Sequence, residues 1–145
     1  MKHKIILATG GFDPVHEGHI KYLQSARNLG DMLVVGLNSD DWLIRKKGYA
    51  FQNALTRMVV MSNLKMVDDV LLMDDTDGTA IRFIEECLER YGRENEFWFV
   101  NGGDRTKKNV PENVPEFKGI VHFKYGVGGT KKLNSSSDLV NNIPK

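Results

Sequence analysis

KIILATGGFDPVHEGH, residues Lys4 to His19, is the segment of this sequence with the strongest structural signal. Its apolar run, Ile5 to Ala8, lacks strict alternation, which is typical of a strand buried on both faces. Gly10 and Gly11 follow and favour a sharp turn, because glycine has no Cβ to clash. The stretch therefore predicts a buried strand that ends in a glycine turn.

A helix is predicted directly after this turn. Beyond position 14, apolar side chains recur with helical spacing, at Ile20, Leu23 and Ala26. His16 and His19 then lie at the helix start, three residues apart and on the same side. Unpaired amide groups and the helix dipole favour an anion there, most often phosphate. Gly18 leaves room for a ligand, so we interpret the stretch as a triphosphate cradle whose imidazoles stabilise an attacked phosphate.

Other roles for the two histidines fit less well. A capping or packed side chain is the commoner role for one imidazole at a helix start, taken alone. Zinc needs three or four ligands, and Cys87, His3 and His122 offer no obvious completion. The dinucleotide-binding fingerprint G-x-G-x-x-G is absent. The combination of a buried strand, a glycine break and two histidines in one turn favours phosphate chemistry.

Residues 10–19 resemble the G-x-F-D-x-x-H-x-G-H signature of the cytidylyltransferase-like nucleotidyltransferases. The resemblance implies transfer of a nucleotidyl group from a nucleoside triphosphate to a phosphate-bearing acceptor, with release of pyrophosphate. It makes His16 and His19 catalytic. It also implies a nucleotide-binding segment with these members: Gly10, Gly11, Phe12, Asp13 and Gly18.

Length, net charge and cysteine content limit the number of domains and the kinds of partner that we expect. At 145 residues we expect one domain over residues 1–145. A net charge of +1 gives no argument for nucleic acid or membrane partners, and we expect neither. The single cysteine, Cys87, excludes an internal disulfide, agrees with a cytoplasmic location and is expected to fill the core. We expect no signal peptide and no membrane span.

Predicted strands and helices alternate along the chain. The expected class is α/β: a doubly wound, Rossmann-like sheet of about five parallel strands with helices on both faces. In such sheets ligands bind beyond the carboxyl ends of the strands. Four polar or glycine-rich clusters follow strands and should meet at that rim: residues 9–19, 38–41, 101–106 and 126–137.

The basic triplet Arg45, Lys46 and Lys47 is solvated charge in its generic interpretation. Its position after the second strand favours a mobile basic loop that closes on the β and γ phosphates. The resemblance implies that Lys46 and Lys47 contact these phosphates and that Arg57 binds the nucleotide.

Two later elements match the family by resemblance. Gly103 and Asp104 fit its G-G-D element, and Ser135, Ser136 and Ser137 fit its hydroxyl-bearing helix start. The sequence combines features of heptose 1-phosphate adenylyltransferases and glycerol-3-phosphate cytidylyltransferases.

We therefore expect transfer of a nucleoside monophosphate from ATP or CTP to a phosphorylated sugar or polyol. Mg²⁺ should accompany the triphosphate, held largely by phosphate oxygens and water, without a protein metal site. An exposed edge strand favours a homodimer. The alternatives are a catalytically weak nucleotide sensor, an adenylyltransferase for another phosphorylated acceptor, and a flavodoxin-like interaction domain. Neither the base nor the acceptor is fixed by the sequence.

Overall fold

Strands and helices alternate in the computed structural model, which describes residues 2–102 and 110–128. The strands are β1 (Lys4–Gly10), β2 (Met32–Leu37), β3 (Asp69–Leu72), β4 (Glu96–Val100) and β5 (Val121–Lys124). The helices are α1 (Glu17–Arg27), α2 (Asp40–Lys47), α3 (Ala54–Ser62) and α4 (Ile81–Tyr91), with a short 3-10 turn at Pro115–Phe117. The helix predicted after Ser135–Ser137 lies outside the described residues.

The strands form one parallel sheet in the order β3-β2-β1-β4-β5. The central strand is β1, where Leu7 pairs with Val34 on one side and with Phe99 on the other. The strand order reverses at β1, so the crevice beyond β1 and β4 is the place where such sheets bind ligands. The predicted parallel, doubly wound sheet is confirmed.

Both faces of the sheet are covered, which explains the unbroken apolar run of β1. Ile5 and Leu7 pack with α4 on one face, whereas Ile6 and Ala8 pack with α1 and α3 on the other. Cys87 is a buried, free cysteine in the α4 layer, as predicted. Each aliphatic side chain that is fully buried in these two layers contributes about 1.5–3 kcal/mol of transfer free energy to folding.

Candidate functional site

The two histidines stack on each other at the start of α1. Their ring centroids are 3.8 Å apart, with 23° between the ring planes. His16 is the N-cap: its Nδ1 accepts from the Gly18 amide at 3.1 Å. The Nδ1 of His19 accepts from the His16 amide at 3.2 Å. Because both Nδ1 atoms are acceptors, each neutral ring carries its proton on Nε2.

The Nε2 of His16 is a buried donor without a partner. This atom has no hydrogen bond to any residue in the described ranges. Burial lowers the pKa of His16 below its usual 6.5, so the ring is neutral at pH 7. A buried N–H without an acceptor costs about 1–3 kcal/mol, and an arriving anionic oxygen removes that cost. The helix start can therefore bind an anion through this imidazole and through the dipole of α1.

Packing, more than the turn itself, requires the glycines before the histidines. β1 continues through Gly10, and the residue with left-handed geometry is Phe12, at φ 49°. A Cβ on Gly10 would lie 3.0 Å from the Phe12 ring, and one on Gly11 would lie 2.7 Å from Leu43 of α2. The buried Phe12 ring meets the edge of His19 with centroids 4.9 Å apart. β1 ends at Gly10, as predicted, and the two glycines also make room for Leu43 and for Phe12, which lies beside His19.

Asp13 anchors the segment between α2 and α3. Its side chain is 1% exposed, and its two oxygens accept from the amides of Phe51 (2.7 Å) and Gln52 (2.6 Å). Lys47 Nζ lies 3.4 Å from the same carboxylate and donates to the Asp13 carbonyl at 3.1 Å. Asp13 therefore holds the cradle in place from the interior.

Arg57 is fully buried, at 0% exposure, among main-chain carbonyls at the carboxyl ends of the strands. Its Nη1 donates to the carbonyls of Gly11 (3.0 Å) and Asn38 (2.7 Å). Its Nε donates to the Gln52 carbonyl at 3.0 Å, and its Nη2 pairs with Asp40 at 2.7 Å. Four of the five guanidinium donors are thereby used. This placement gives Arg57 the role of joining the segments after β1 and β2.

The basic triplet is helical, so the prediction of a mobile basic loop is wrong. Arg45, Lys46 and Lys47 form the last turn of α2, which ends at Gly48 in left-handed geometry (φ 89°). Successive residues on a helix point in directions about 100° apart. Accordingly, Lys47 Nζ reaches Asp13, whereas Lys46 Nζ lies 4.5 Å from the centroid of the Trp42 ring.

Asp75 is a structural residue that the sequence reasoning missed. It is 2% exposed and accepts from the Asn38 side chain (3.0 Å) and from the Ser39 amide (2.9 Å) and hydroxyl (2.6 Å). Ser39 in turn caps α2 through the Trp42 amide at 3.0 Å. Asp75 therefore fixes the segment after β3 to the segment after β2.

Tyr22 of α1 fixes the rim beyond β4 and β5. Its hydroxyl donates to the Val100 carbonyl at 3.0 Å. A Cβ on Gly102 would lie 3.0 Å from the Tyr22 ring, and one on Gly128 would lie 3.1 Å from Tyr22 Cα. The segments that follow β4 and β5 thus lie against the histidine-bearing helix. The remaining predicted site residues, Gly103, Asp104, Ser135, Ser136 and Ser137, lie outside the described residues.

The residues of this site lie within a match to a known protein family. The model of the cytidylyltransferase-like family matches residues 7–139. The chain belongs to the cytidylyltransferase-like family. A bifunctional protein HldE from Campylobacter concisus (strain 13826) is 47% identical over 148 residues, which cover 99% of this chain and 29% of that protein. The HldE of Haemophilus influenzae (strain PittEE) is 40% identical over 115 residues, covering 70% of this chain and 24% of that protein.

The chain therefore spans about a quarter of the length of the curated relatives that it matches. Solved structures share the fold of this cytidylyltransferase-like chain. A lipopolysaccharide core biosynthesis protein from Thermoplasma volcanium GSS1 has a TM-score of 0.69 at 23% identity, covering 91% of this chain and 99% of that one. A bifunctional NMN adenylyltransferase/ADP ribose pyrophosphatase from Francisella tularensis, complexed with AMP and a Mn ion, has a TM-score of 0.64 at 14% identity. The match covers 99% of this chain and 43% of that one.

The side chains of this family member do not form a resident metal site in the described ranges. No group of three or more His, Cys, Asp or Glu residues there could hold an ion. The carboxylate next to the histidine turn, Asp13, already accepts from two amides and pairs with Lys47. A divalent ion at this rim would take its ligands mainly from phosphate oxygens and water, as Mg²⁺ prefers.

Among helices in residues 2–102 and 110–128, none has the length and apolarity needed to cross a membrane.

Proposed function

We propose that this chain transfers a nucleoside monophosphate from ATP or CTP to a phosphorylated sugar or polyol and releases pyrophosphate. The observation that carries the proposal is the stacked histidine pair with its buried, unpartnered His16 Nε2. That donor lies at the amino end of α1, beyond the central strand, where phosphate is most strongly favoured.

In the proposed reaction, an oxygen of the acceptor's phosphate attacks the α-phosphorus of the triphosphate in line. The bond from that phosphorus to the bridging oxygen breaks, and pyrophosphate leaves with the electron pair. No covalent enzyme intermediate is needed, so the protein acts by positioning and by stabilising charge. The Nε2–H groups of His16 and His19 donate to the α-phosphate oxygens as negative charge builds on them.

The cradle is pre-organised before any ligand binds. Both ring tautomers are fixed by main-chain amides, so neither imidazole has to rotate or exchange a proton to present Nε2–H. Phe12, Asp13 and Arg57 act from the interior by holding the turn and its neighbours. Such fixed donors contribute most to electrostatic stabilisation, because no reorganisation is needed during the reaction.

The leaving phosphates are assigned to the last turn of α2. We propose that Lys46 and Lys47 contact them, with Lys47 exchanging its pairing with Asp13 for a phosphate oxygen. Mg²⁺ bound to the triphosphate would add positive charge beside its phosphate oxygens, with its ligands mainly from those oxygens and water. The proposal also assigns the nucleotide contacts to Gly103 and Asp104, and further phosphate contacts to Ser135, Ser136 and Ser137. It includes a cytoplasmic location and a homodimer.

The likeness of the G-G-D segment to heptose 1-phosphate adenylyltransferases supports a sugar phosphate as acceptor. The test is a matrix of ATP and CTP against heptose 1-phosphate, glucose 1-phosphate, glycerol 3-phosphate and pantetheine 4-phosphate, with Mg²⁺ and pyrophosphate release as the readout. We expect one triphosphate and one sugar or polyol phosphate to stand out. Nucleotide binding without pyrophosphate from any pair would instead identify a sensor, and absence of both would end the proposal.

A further inference from the structure

Buried donors without partners single out a second residue at the rim. Within the described ranges, three buried side-chain nitrogens or oxygens lack a hydrogen bond: His16 Nε2, Trp98 Nε1 and Asn101 Nδ2. Trp98 lies within β4, packed between His122 (centroids 4.7 Å apart) and Lys4 Nζ (4.6 Å from the ring centroid). His16 and Asn101, by contrast, follow β1 and β4, the two strands that border the ligand crevice.

The main-chain N–H and carbonyl of Asn101 are both hydrogen-bonded, whereas its side-chain amide nitrogen is not. The Asn101 N–H donates to the Lys124 carbonyl at 2.9 Å, and its carbonyl accepts from the Val127 amide at 3.0 Å. The next residue, Gly102, packs against the Tyr22 ring. Asn101 is therefore held in one position while its Nδ2 has no acceptor, although native proteins pair most such groups.

β1 and β4 stop pairing just before Asn101. Their ladder ends where Leu7 pairs with Phe99; beyond that pair, β1 continues to Gly10 beside β2, and β4 continues to Val100 beside β5. Asn101 is the first residue after β4, and the histidines begin α1, the helix that follows β1. The unpartnered amide of Asn101 and the histidine pair therefore lie beyond the two strands between which the sheet opens.

We propose that Asn101 is a further substrate-contacting residue, whose Nδ2 donates to an oxygen of the acceptor's phosphate. The inference rests on the proposed function, because in-line displacement puts the attacking and leaving oxygens on opposite sides of the phosphorus. The leaving phosphates are assigned to α2, which follows β2 on one side of β1, while the histidine pair holds the non-bridging oxygens of the α-phosphate. The acceptor therefore approaches from the other side of β1, where Asn101, directly after β4, supplies a buried donor.

The test separates substrate contact from a structural role. Asn101→Leu removes an amide that has no acceptor in the unliganded protein, so Tm should stay or rise. The KM for the acceptor should rise about ten- to a hundredfold, the range for one hydrogen bond to a charged group, with the KM for the triphosphate unchanged. Asn101→Asp should raise the acceptor KM at least as much, because its carboxylate repels phosphate. Trp98→Phe, which removes an unpartnered donor within the same strand, is the matched control and should leave both KM values unchanged.

A binding measurement keeps the assignment testable without turnover. The side-chain amide resonance of Asn101, identified by its loss in Asn101→Asp, should shift when glycerol 3-phosphate or glucose 1-phosphate is added, and not with ATP or CTP alone. A shift without pyrophosphate formation would remove the proposed function and keep Asn101 as an acceptor contact. A shift with triphosphate alone, unchanged acceptor KM in Asn101→Leu, or no shift with either phosphate would overturn the inference.

Discussion

Replacing His16 by asparagine separates the two roles that the structure gives this side chain. His16 caps α1 through Nδ1, and it presents Nε2–H at the ligand crevice. Asparagine is among the best N-cap residues, so the cap is retained and Tm should stay within about 2 °C of wild type. Its side chain is too short to place a donor at the position of Nε2. Loss of one such donor should lower kcat about a hundred- to a thousandfold.

The assay is pyrophosphate release under saturating substrates, with thermal unfolding followed by circular dichroism on the same samples. His16→Ala should lose the cap as well, at a cost of about 1 kcal/mol and about 3 °C in Tm. Asn53 caps α3 by accepting from the Thr56 amide at 2.9 Å, so Asn53→Ala is a control that loses a cap and should keep kcat. If His16→Asn turns over within tenfold of wild type, the imidazole does not stabilise the transition state.

Three further predictions concern stability and reactivity. Burial lowers the pKa of His16, so the unfolding free energy should fall as pH drops from the usual histidine pKa of about 6.5 towards the lower folded-state value. Urea titrations at several pH values should show a smaller fall for His16→Asn than for wild type. An equal dependence on pH in the two proteins would contradict the assignment. Arg57→Met leaves three carbonyls without their donor, while the Asp40 carboxylate is 38% exposed and stays solvated. Urea unfolding should therefore show a loss of about 3 kcal/mol or more, at about 1–3 kcal/mol for each unpaired carbonyl; a loss below about 1 kcal/mol would mean that the network is dispensable. Burial raises the pKa of the Cys87 thiol to about 12, so a thiol reagent at pH 8 should label the protein only after denaturation, and rapid labelling of the native protein would contradict this.

The sheet and the histidine pair could be predicted because their signals are local. An unbroken apolar run such as Ile5 to Ala8 predicts a strand covered on both faces, and alternating strands and helices predict a parallel sheet. The spacing of His16 and His19 fixes their shared side within one helical turn. Neither inference depends on how distant segments pack.

The interior roles could not be predicted, because they depend on contacts between distant segments. The acceptors of Arg57 include the carbonyls of Gly11 and Asn38, 46 and 19 residues away, and carbonyl positions leave no trace in side-chain patterns. The helical state of the basic triplet did have a local signal. Ser39 begins and Gly48 ends a helix of ordinary length, and such boundary residues predict α2 better than the charges of Lys46 and Lys47 do.

The contact of Tyr22 with Gly102 and Gly128 has a consequence for how this sequence can change. A larger residue at either glycine would collide with α1, and a smaller residue at position 22 would leave a void between the two segments. Substitutions at positions 22 and 102 are therefore coupled in their effects, whereas Gly128 is required by its own left-handed geometry (φ 79°) and by the Tyr22 Cα, which a smaller side chain at position 22 does not remove. A combinatorial library over positions 22, 102 and 128 should yield folded variants that keep glycine at 128 and in which added volume at 102 is matched by lost volume at 22.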